Sequence, residues 1–235
     1  MTPNSQNQYD EDVPEMPVLV AVEGWNFYRF LKTYLEEAKE FKTSVEAWNY
    51  SEIRGKKIKQ VSIEDGLRNL LKKGSFKSTV KALGIIRDAE TNRTKATSEI
   101  RAALKALNLA VPDAEGKIEQ KDDLCVGYMV MPKSTETGCI ETDGHKCSTL
   151  DARIISHINV FHDAVQKDFS SKFTENYSAK FKFNAMIAAS DRPDATYADS
   201  VRFKLWNFDA SPLSEIRDFL RLLRDSIPKS DPPIS

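Results

Sequence analysis

Three carboxylates in this sequence follow apolar runs in a way that suits chemistry. Val22-Glu23-Gly24 closes the run Met16-Pro17-Val18-Leu19-Val20-Ala21-Val22, and Asp88-Ala89-Glu90 comes soon after Leu83-Gly84-Ile85-Ile86. Short apolar runs bounded in this manner read as buried strands. Ligands of an open α/β sheet bind outside the carboxyl ends of its strands, so Glu23, Asp88 and Glu90 are expected to meet at one edge. Carboxylates gathered there suit Mg²⁺ or Mn²⁺. Mg²⁺ in particular takes oxygen ligands, keeps several waters and is commonly held by one or two carboxylates together with substrate phosphate. The simpler alternative for Glu23 is a carboxylate stabilised by the dipole of the helix that follows it.

Further candidates lie downstream. Glu141 and Asp143 fall within Pro132 to Ser148, a stretch whose Ser, Thr and Gly content reads as a loop; each is either a site carboxylate, a solvated loop residue or a helix cap. Cys139, His145 and Cys147 share that stretch, but their spacing is not that of a zinc finger and a fourth ligand is missing. His157 and His162 are separated by about 500° of helical rotation, which leaves them ~140° apart and argues against joint metal ligation. They read as ordinary, partly exposed histidines. Lys180 and Lys182 read as a helix surface pair, although a lysine near the acidic edge would also neutralise a phosphate. Arg54-Gly55-Lys56-Lys57 and Lys72-Lys73 read as solvated surface.

The elements that must position these groups alternate along the chain. After the first strand, Phe27, Phe30, Leu31, Tyr34, Leu35, Ala38 and Phe41 recur at helical spacing, predicting an amphipathic helix to about Lys42. Lys57 to Ile63 reads as a second, half-exposed strand. Ser62 caps a helix carrying Leu67, Leu70 and Leu71, which Gly74 and Ser75 break. A helix from about Ala96 to Leu109 buries Ile100, Ala103, Leu104 and Leu107, and Leu124 to Met131 forms a fourth strand ended by Pro132. Beyond it, one helix presents Leu150, Ile154, Ile158, Phe161 and Val165, another Ala179, Phe183, Met186 and Ile187. A last helix begins at Ser211-Pro212 and buries Ile216, Phe219, Leu220 and Leu223. The expected fold is therefore α/β: a mostly parallel four-stranded sheet flanked by helices, with a helical C-terminal elaboration. The expected divisions are a disordered acidic tail over 1–15, an α/β core over 16–147, a helical part packed on it over 148–227, and a frayed, proline-rich tail over 228–235.

Composition narrows the function classes. The chain has 235 residues, 40% of them hydrophobic, enough for one such core. No apolar run approaches the ~18 residues of a membrane span, and no basic-then-apolar leader opens the sequence, so a cytoplasmic protein without membrane association is expected. Three cysteines fit reduced thiols better than a disulfide framework. A net charge of −1 gives no global field for nucleic acid, so phosphate contacts must be local. No Gly-x-Gly-x-x-Gly follows a strand, which disfavours a Rossmann-type nucleotide binder.

The strand ending in Val22-Glu23-Gly24, the strand ending in Asp88-Ala89-Glu90, and Gly138-Cys139-Ile140-Glu141 after the fourth strand together resemble the Toprim superfamily. More specifically, Ala179-Lys180-Phe181-Lys182, Met186-Ile187-Ala188-Ala189-Ser190 and Leu205-Trp206-Asn207-Phe208-Asp209 resemble a bacterial family of uncharacterised Toprim-related proteins often encoded beside ABC-type ATPases. Those proteins are relatives of the nuclease partners in the overcoming-lysogenisation-defect group. The resemblance runs from about Pro17 to Leu223. It implies a Toprim-like fold and Mg²⁺-dependent cleavage of DNA or RNA phosphodiesters. Glu23 would then be the general acid or base, Asp88 and Glu90 the metal ligands, and Glu141, Asp143 and Lys180 additional site residues. It also implies a partner ATPase and a role in phage defence, and is compatible with an oligomer. Two positions depart from the family pattern. Glu90 stands where an aspartate is usual, and Phe27 stands where the family tends to place a further aspartate. The helical stripe assigns Phe27 to packing, and the lower carboxylate count makes a catalytically degenerate Toprim-like interaction module the alternative.

Overall fold

The computed structural model describes residues 14–51, 61–133, 135–170 and 173–228. The acidic tail over 1–13, most of the strand expected at Lys57 to Ile63, and the last seven residues lie outside the described residues.

A continuous apolar run needs burial on both sides, and β1 (Val18–Val22) has it: all five residues are buried. Helix α1 (Trp25–Glu37) follows, buries Phe27, Phe30, Leu31, Tyr34 and Leu35, and stops short of the expected Lys42. The chain then returns through β2 (Val45–Asn49), a short strand not anticipated from the sequence. Ser62 caps α2 (Ile63–Leu71) by accepting a hydrogen bond from the Asp65 backbone N–H, so the end of the expected strand at 57–63 is instead a helix start. Gly74 and Ser75 do not simply break the chain but open a short helix, α3 (Gly74–Thr79).

Strand β3 (Ala82–Asp88) leads to α4 (Arg93–Ala106), which is capped by Asn92 and begins three residues earlier than expected. A short edge strand, β4 (Ile118–Lys121), precedes β5 (Leu124–Met131), whose bounds match the predicted strand. The expected loop after Pro132 contains α5 (Ile140–Lys146). The remainder is helical: α6 (Ala152–Asp168), α7 (Glu175–Ala188), α8 (Tyr197–Arg202) and α9 (Leu213–Asp225).

Among the described residues the sheet therefore has five strands, where four were expected, in the order β2-β1-β3-β5-β4, and of these β4 alone is antiparallel. Side chains alternate between the faces of a strand, and the core divides accordingly. Val18, Val20, Val22, Ile86, Met129 and Met131 pack with α1, α7 and α9. Leu19, Ala21, Leu83, Ile85, Tyr128 and Val130 pack with α2 and α4 on the other side. Helix α9 sits close to the sheet because Gly84 leaves room: a Cβ there would stand 2.4 Å from Leu223 Cδ1. The C-terminal helices thus complete one face of the core and do not form a separate one.

Two expected faces differ in the structure. Phe161, placed on the buried stripe of α6, is 57% exposed, whereas His162, expected to be partly exposed, is 4% exposed. Among the described residues, no helix is long and apolar enough to cross a membrane.

Candidate functional site at the carboxyl edge of the sheet

The register of β1 with β3 pairs Val22 with Ile86, so Glu23 and Asp88 both emerge at the carboxyl edge. The alternation that splits the core also separates their side chains. Glu23 shares the parity of Leu19 and Ala21 and turns toward the α2 and α4 side. There its Oε2 accepts a hydrogen bond from Tyr50 Oη at 3.1 Å and another from Arg87 Nε at 2.9 Å. Arg87 also binds Glu99 on α4 through Nη1 at 2.5 Å. The hydroxyl of Tyr50 is a dependable donor, because burial and then the charge of Glu23 push its pKa well above the ordinary tyrosine value.

Asp88 faces the other way, toward α5 and α7. Its Oδ1 accepts the backbone N–H of Ile140 at 2.9 Å. Burial, reinforced by Glu141 and then Glu90, pushes its carboxyl well above the usual carboxylate range; the Ile140 hydrogen bond and Lys180 act in the opposite sense. Glu141 is only 3% exposed and comes from the first turn of α5. Its Oε1 accepts a hydrogen bond from Tyr197 Oη at 3.2 Å, while its buried Oε2 has no hydrogen-bond partner among the described residues. Tyr197 and Cys139 beside it are held in their protonated forms, in both cases by burial first and the charge of Glu141 second.

Glu90 reaches the same neighbourhood by a different device. Its φ of 52° lies in the left-handed region, uncommon for a residue with a side chain, and its backbone pairs with Gly138 through N–H to O contacts of 2.8 and 2.7 Å. Gly138 has a φ of 125°, and a Cβ on it would stand 2.8 Å from Thr142 Oγ1. This bridge fixes the turn after β3 against the approach to α5. Asn176, at the start of α7, donates through Nδ2 to Glu90 Oε2. One turn further along α7 stands Lys180. Burial disfavours its charge, yet Glu141, Cys139, Glu90 and Asp88 together raise its pKa above the ordinary lysine value.

The structure thus gathers Asp88, Glu90, Glu141 and Lys180, with Tyr197, Cys139 and Asn176 around them. It holds Glu23 apart, on Arg87 and Tyr50, so the expected meeting of Glu23, Asp88 and Glu90 is not what the strand parity produces. Asp143 is also separate. It is fully buried, accepts the Lys133 backbone N–H at 3.1 Å and lies 3.8 Å from Lys146 Nζ, which makes it a brace between α5 and the end of β5. Phe27 is 3% exposed in the core, as the helical stripe predicted.

Among the described residues, no group of three or more His, Cys, Asp or Glu side chains is arranged to hold a metal ion. The donor set nevertheless suits a hard cation that keeps part of its water shell: a desolvated carboxyl, a second buried carboxylate with one oxygen unpartnered, and a third at the solvent margin. Arg87, Tyr50, Asn176 and Tyr197 were not singled out from the sequence. Arg87 stands directly before the acidic motif, and that adjacency was the one available signal; the others are joined to the site only by the fold.

No curated protein and no solved structure matches the chain. One family does, over residues 17–225, most of the sequence and all elements from β1 to α9, and the chain belongs to that family, described as a protein of unknown function (DUF3226).

Proposed function

We propose that this protein is a Toprim-like enzyme that cleaves phosphodiesters of DNA or RNA with Mg²⁺ or Mn²⁺. In this reading Asp88, Glu90 and Glu141 hold the ion and Lys180 faces a substrate phosphate. The single observation that carries it is the desolvated Asp88 carboxyl within the electrostatic reach of Glu141, whose Oε2 is buried without a hydrogen-bond partner among the described residues, with Lys180 beside both. Carboxylates so placed repel one another, and a divalent cation relieves that repulsion. When bound, Mg²⁺ would polarise a phosphoryl oxygen and lower the pKa of a coordinated water. Asp88 is oriented by the Ile140 N–H and Glu141 by Tyr197, so both carboxyls are positioned before any ligand arrives. Lys180 Nζ contributes positive charge next to three carboxylates, where it can partner a phosphate oxygen. Glu23, at the neighbouring strand end, is the remaining candidate for proton transfer. The resemblance drawn from the sequence motifs supplies the outer parts of this proposal: a cytoplasmic setting, an ABC-type ATPase that restrains or directs cleavage, and a role in phage defence.

A specific observation supports a second reading, a degenerate Toprim-like interaction module. Glu23 is engaged by Arg87 and Tyr50, and Phe27 fills the core where a further carboxylate was expected. One assay separates the two. Plasmid and single-stranded substrates are incubated with Mg²⁺ or Mn²⁺ and wild type, Asp88→Asn or Glu23→Gln. Cleavage by wild type that falls by at least about a hundredfold in Asp88→Asn is expected for a metal-ligand carboxylate. Cleavage that survives Asp88→Asn removes the assignment of that residue. Loss in Glu23→Gln at unchanged metal affinity would give Glu23 the proton-transfer role.

A further inference from the structure

Helix α7 carries more than the lysine at the acidic site. Tyr177 is 50% exposed and stands between Asn176, which binds Glu90, and Lys180, one turn along the same helix and also exposed. Residues three apart on a helix are neighbours, with Cβ atoms about 5–6 Å apart. An aromatic face and a cation therefore lie side by side at the margin of the carboxylate cluster.

The ring of Tyr177 also begins a strip. It meets Phe173 edge-on with centroids 4.9 Å apart, Phe173 lies 5.8 Å from Phe181, and Phe181 lies 5.6 Å from Phe161 on α6. Phe161 at the far end is 57% exposed. The strip is half-exposed at both ends, and its two middle rings, Phe173 and Phe181, are partly buried against His162, which holds them in place. Its chemistry is selective as well. Every nucleobase presents a flat π-face to such rings, and sequence-tolerant binding of single strands combines aromatic platforms with cations that track the phosphates. A duplex keeps its base faces stacked internally and cannot use them. More than one ring is available, which suits successive bases of a strand better than a lone mononucleotide.

We infer that the Tyr177 to Phe161 strip is a stacking platform for the bases of a single-stranded nucleic acid whose phosphate lies by Lys180. The inference rests on the phosphodiester reading of the acidic site and adds the strandedness of the substrate and the surface that selects it. It stands independently of catalysis in its test, because stacking needs no metal.

The test is fluorescence anisotropy in EDTA with three labelled probes of equal length: a single strand, the same strand with abasic sites in place of its bases, and the duplex. Wild type is expected to bind the base-bearing strand about tenfold or more tighter than the abasic strand or the duplex. Tyr177→Leu, at an exposed position that keeps an apolar contact with Phe173, should lower affinity for the base-bearing strand by about fivefold or more, toward the abasic level, while leaving abasic binding unchanged. Tyr177→Trp should keep it. Equal binding of base-bearing and abasic strands, unchanged binding by Tyr177→Leu, or no binding at all overturns the inference. A dimer in sedimentation that Tyr177→Leu dissociates, with nucleic-acid binding unaffected, would assign the strip to a second copy of the chain and also overturn it. Base-dependent binding without metal-dependent cleavage would defeat the catalytic reading alone; Asp88-dependent cleavage with no effect of bases would defeat this one alone.

Discussion

Asp88 is the residue on which the electrostatics of the site turn. Its carboxyl is pushed upward by burial and by Glu141 and Glu90, so the native state holds its proton more tightly than the unfolded chain does. A carboxyl raised in this way penalises folding as pH rises through its unfolded value near ~3.9, and the penalty is complete above the folded value. Asp88→Asn removes the charge but keeps an oxygen for the Ile140 N–H. It should therefore stabilise the metal-free protein at neutral pH by about 1 kcal/mol or more, with the gain fading as pH approaches ~4. Urea unfolding of the two proteins across pH 4 to 8 in EDTA checks this; a destabilised Asp88→Asn at pH 7.5 would mean that Asp88 is an ordinary ion-paired aspartate. The sequence showed Asp88, Glu90 and Glu141 as acids after strands, and that much was legible because each closes an apolar run or follows one. It did not show which side each carboxylate takes. That depends on strand parity at the sheet's end: Glu23, just past β1, continues the face of Leu19 and Ala21 and meets Arg87, whereas Asp88, at the end of β3, continues the face of Ala82 and Ile86 and turns toward Glu141.

At the scale of elements, segments with an apolar pattern were readable, down to the five-residue β1, and short elements without one were not. The stripe Ala179, Phe183, Met186 and Ile187 is buried in α7, and Ile216, Phe219, Leu220 and Leu223 are buried in α9. Each has enough turns for the 3.6-residue period to register. The edge strand β4 reads Ile-Glu-Gln-Lys and is mostly exposed, so it carries no apolar pattern to detect. Helix α5 has seven residues including Gly144, too few for periodicity, and its signal was the capping box from Cys139 to Thr142. Phe161 was placed in the core because its spacing fits the α6 stripe, but α6 buries only Ile158 and His162, and its other side remains open. Helix α9 makes the opposite case, an element whose burial is essential. Phe219 is 1% exposed and lies over Gly84 and Gly127, 3.3 and 3.0 Å from where their Cβ atoms would stand. Phe219→Ala opens a cavity directly on β3 and β5, and should cost about 3–5 kcal/mol, measured as the shift in urea midpoint at constant slope. A cost below about 1 kcal/mol would mean that α9 is an appendage and not part of the core.

At the scale of the molecule, a mostly parallel sheet has two differently employed faces. The α2 and α4 face ends in a satisfied network, with Glu23, Arg87, Tyr50 and Glu99 bonded to one another. The face built by α5, α7 and α8 ends in Asp88, Glu90 and Glu141 beside Lys180, with one buried carboxylate oxygen that has no hydrogen-bond partner among the described residues. Length and composition suggested one α/β core, and among the described residues α7 and α9 share a buried cluster with the sheet. What composition could not supply is the asymmetry between the faces, because a net charge of −1 averages over both. The proposed divalent-cation site lies on the face where the acids gather, and that asymmetry is what the proposal rests on. The most direct measurement is a Mn²⁺ titration followed by electron paramagnetic resonance at pH 7.5, with wild type and Glu141→Gln, a substitution that keeps the Tyr197 contact and removes the charge. One Mn²⁺ bound by wild type and at least about tenfold weaker binding by Glu141→Gln is the predicted result. No Mn²⁺ bound by wild type, or equal binding by both proteins, would contradict the account.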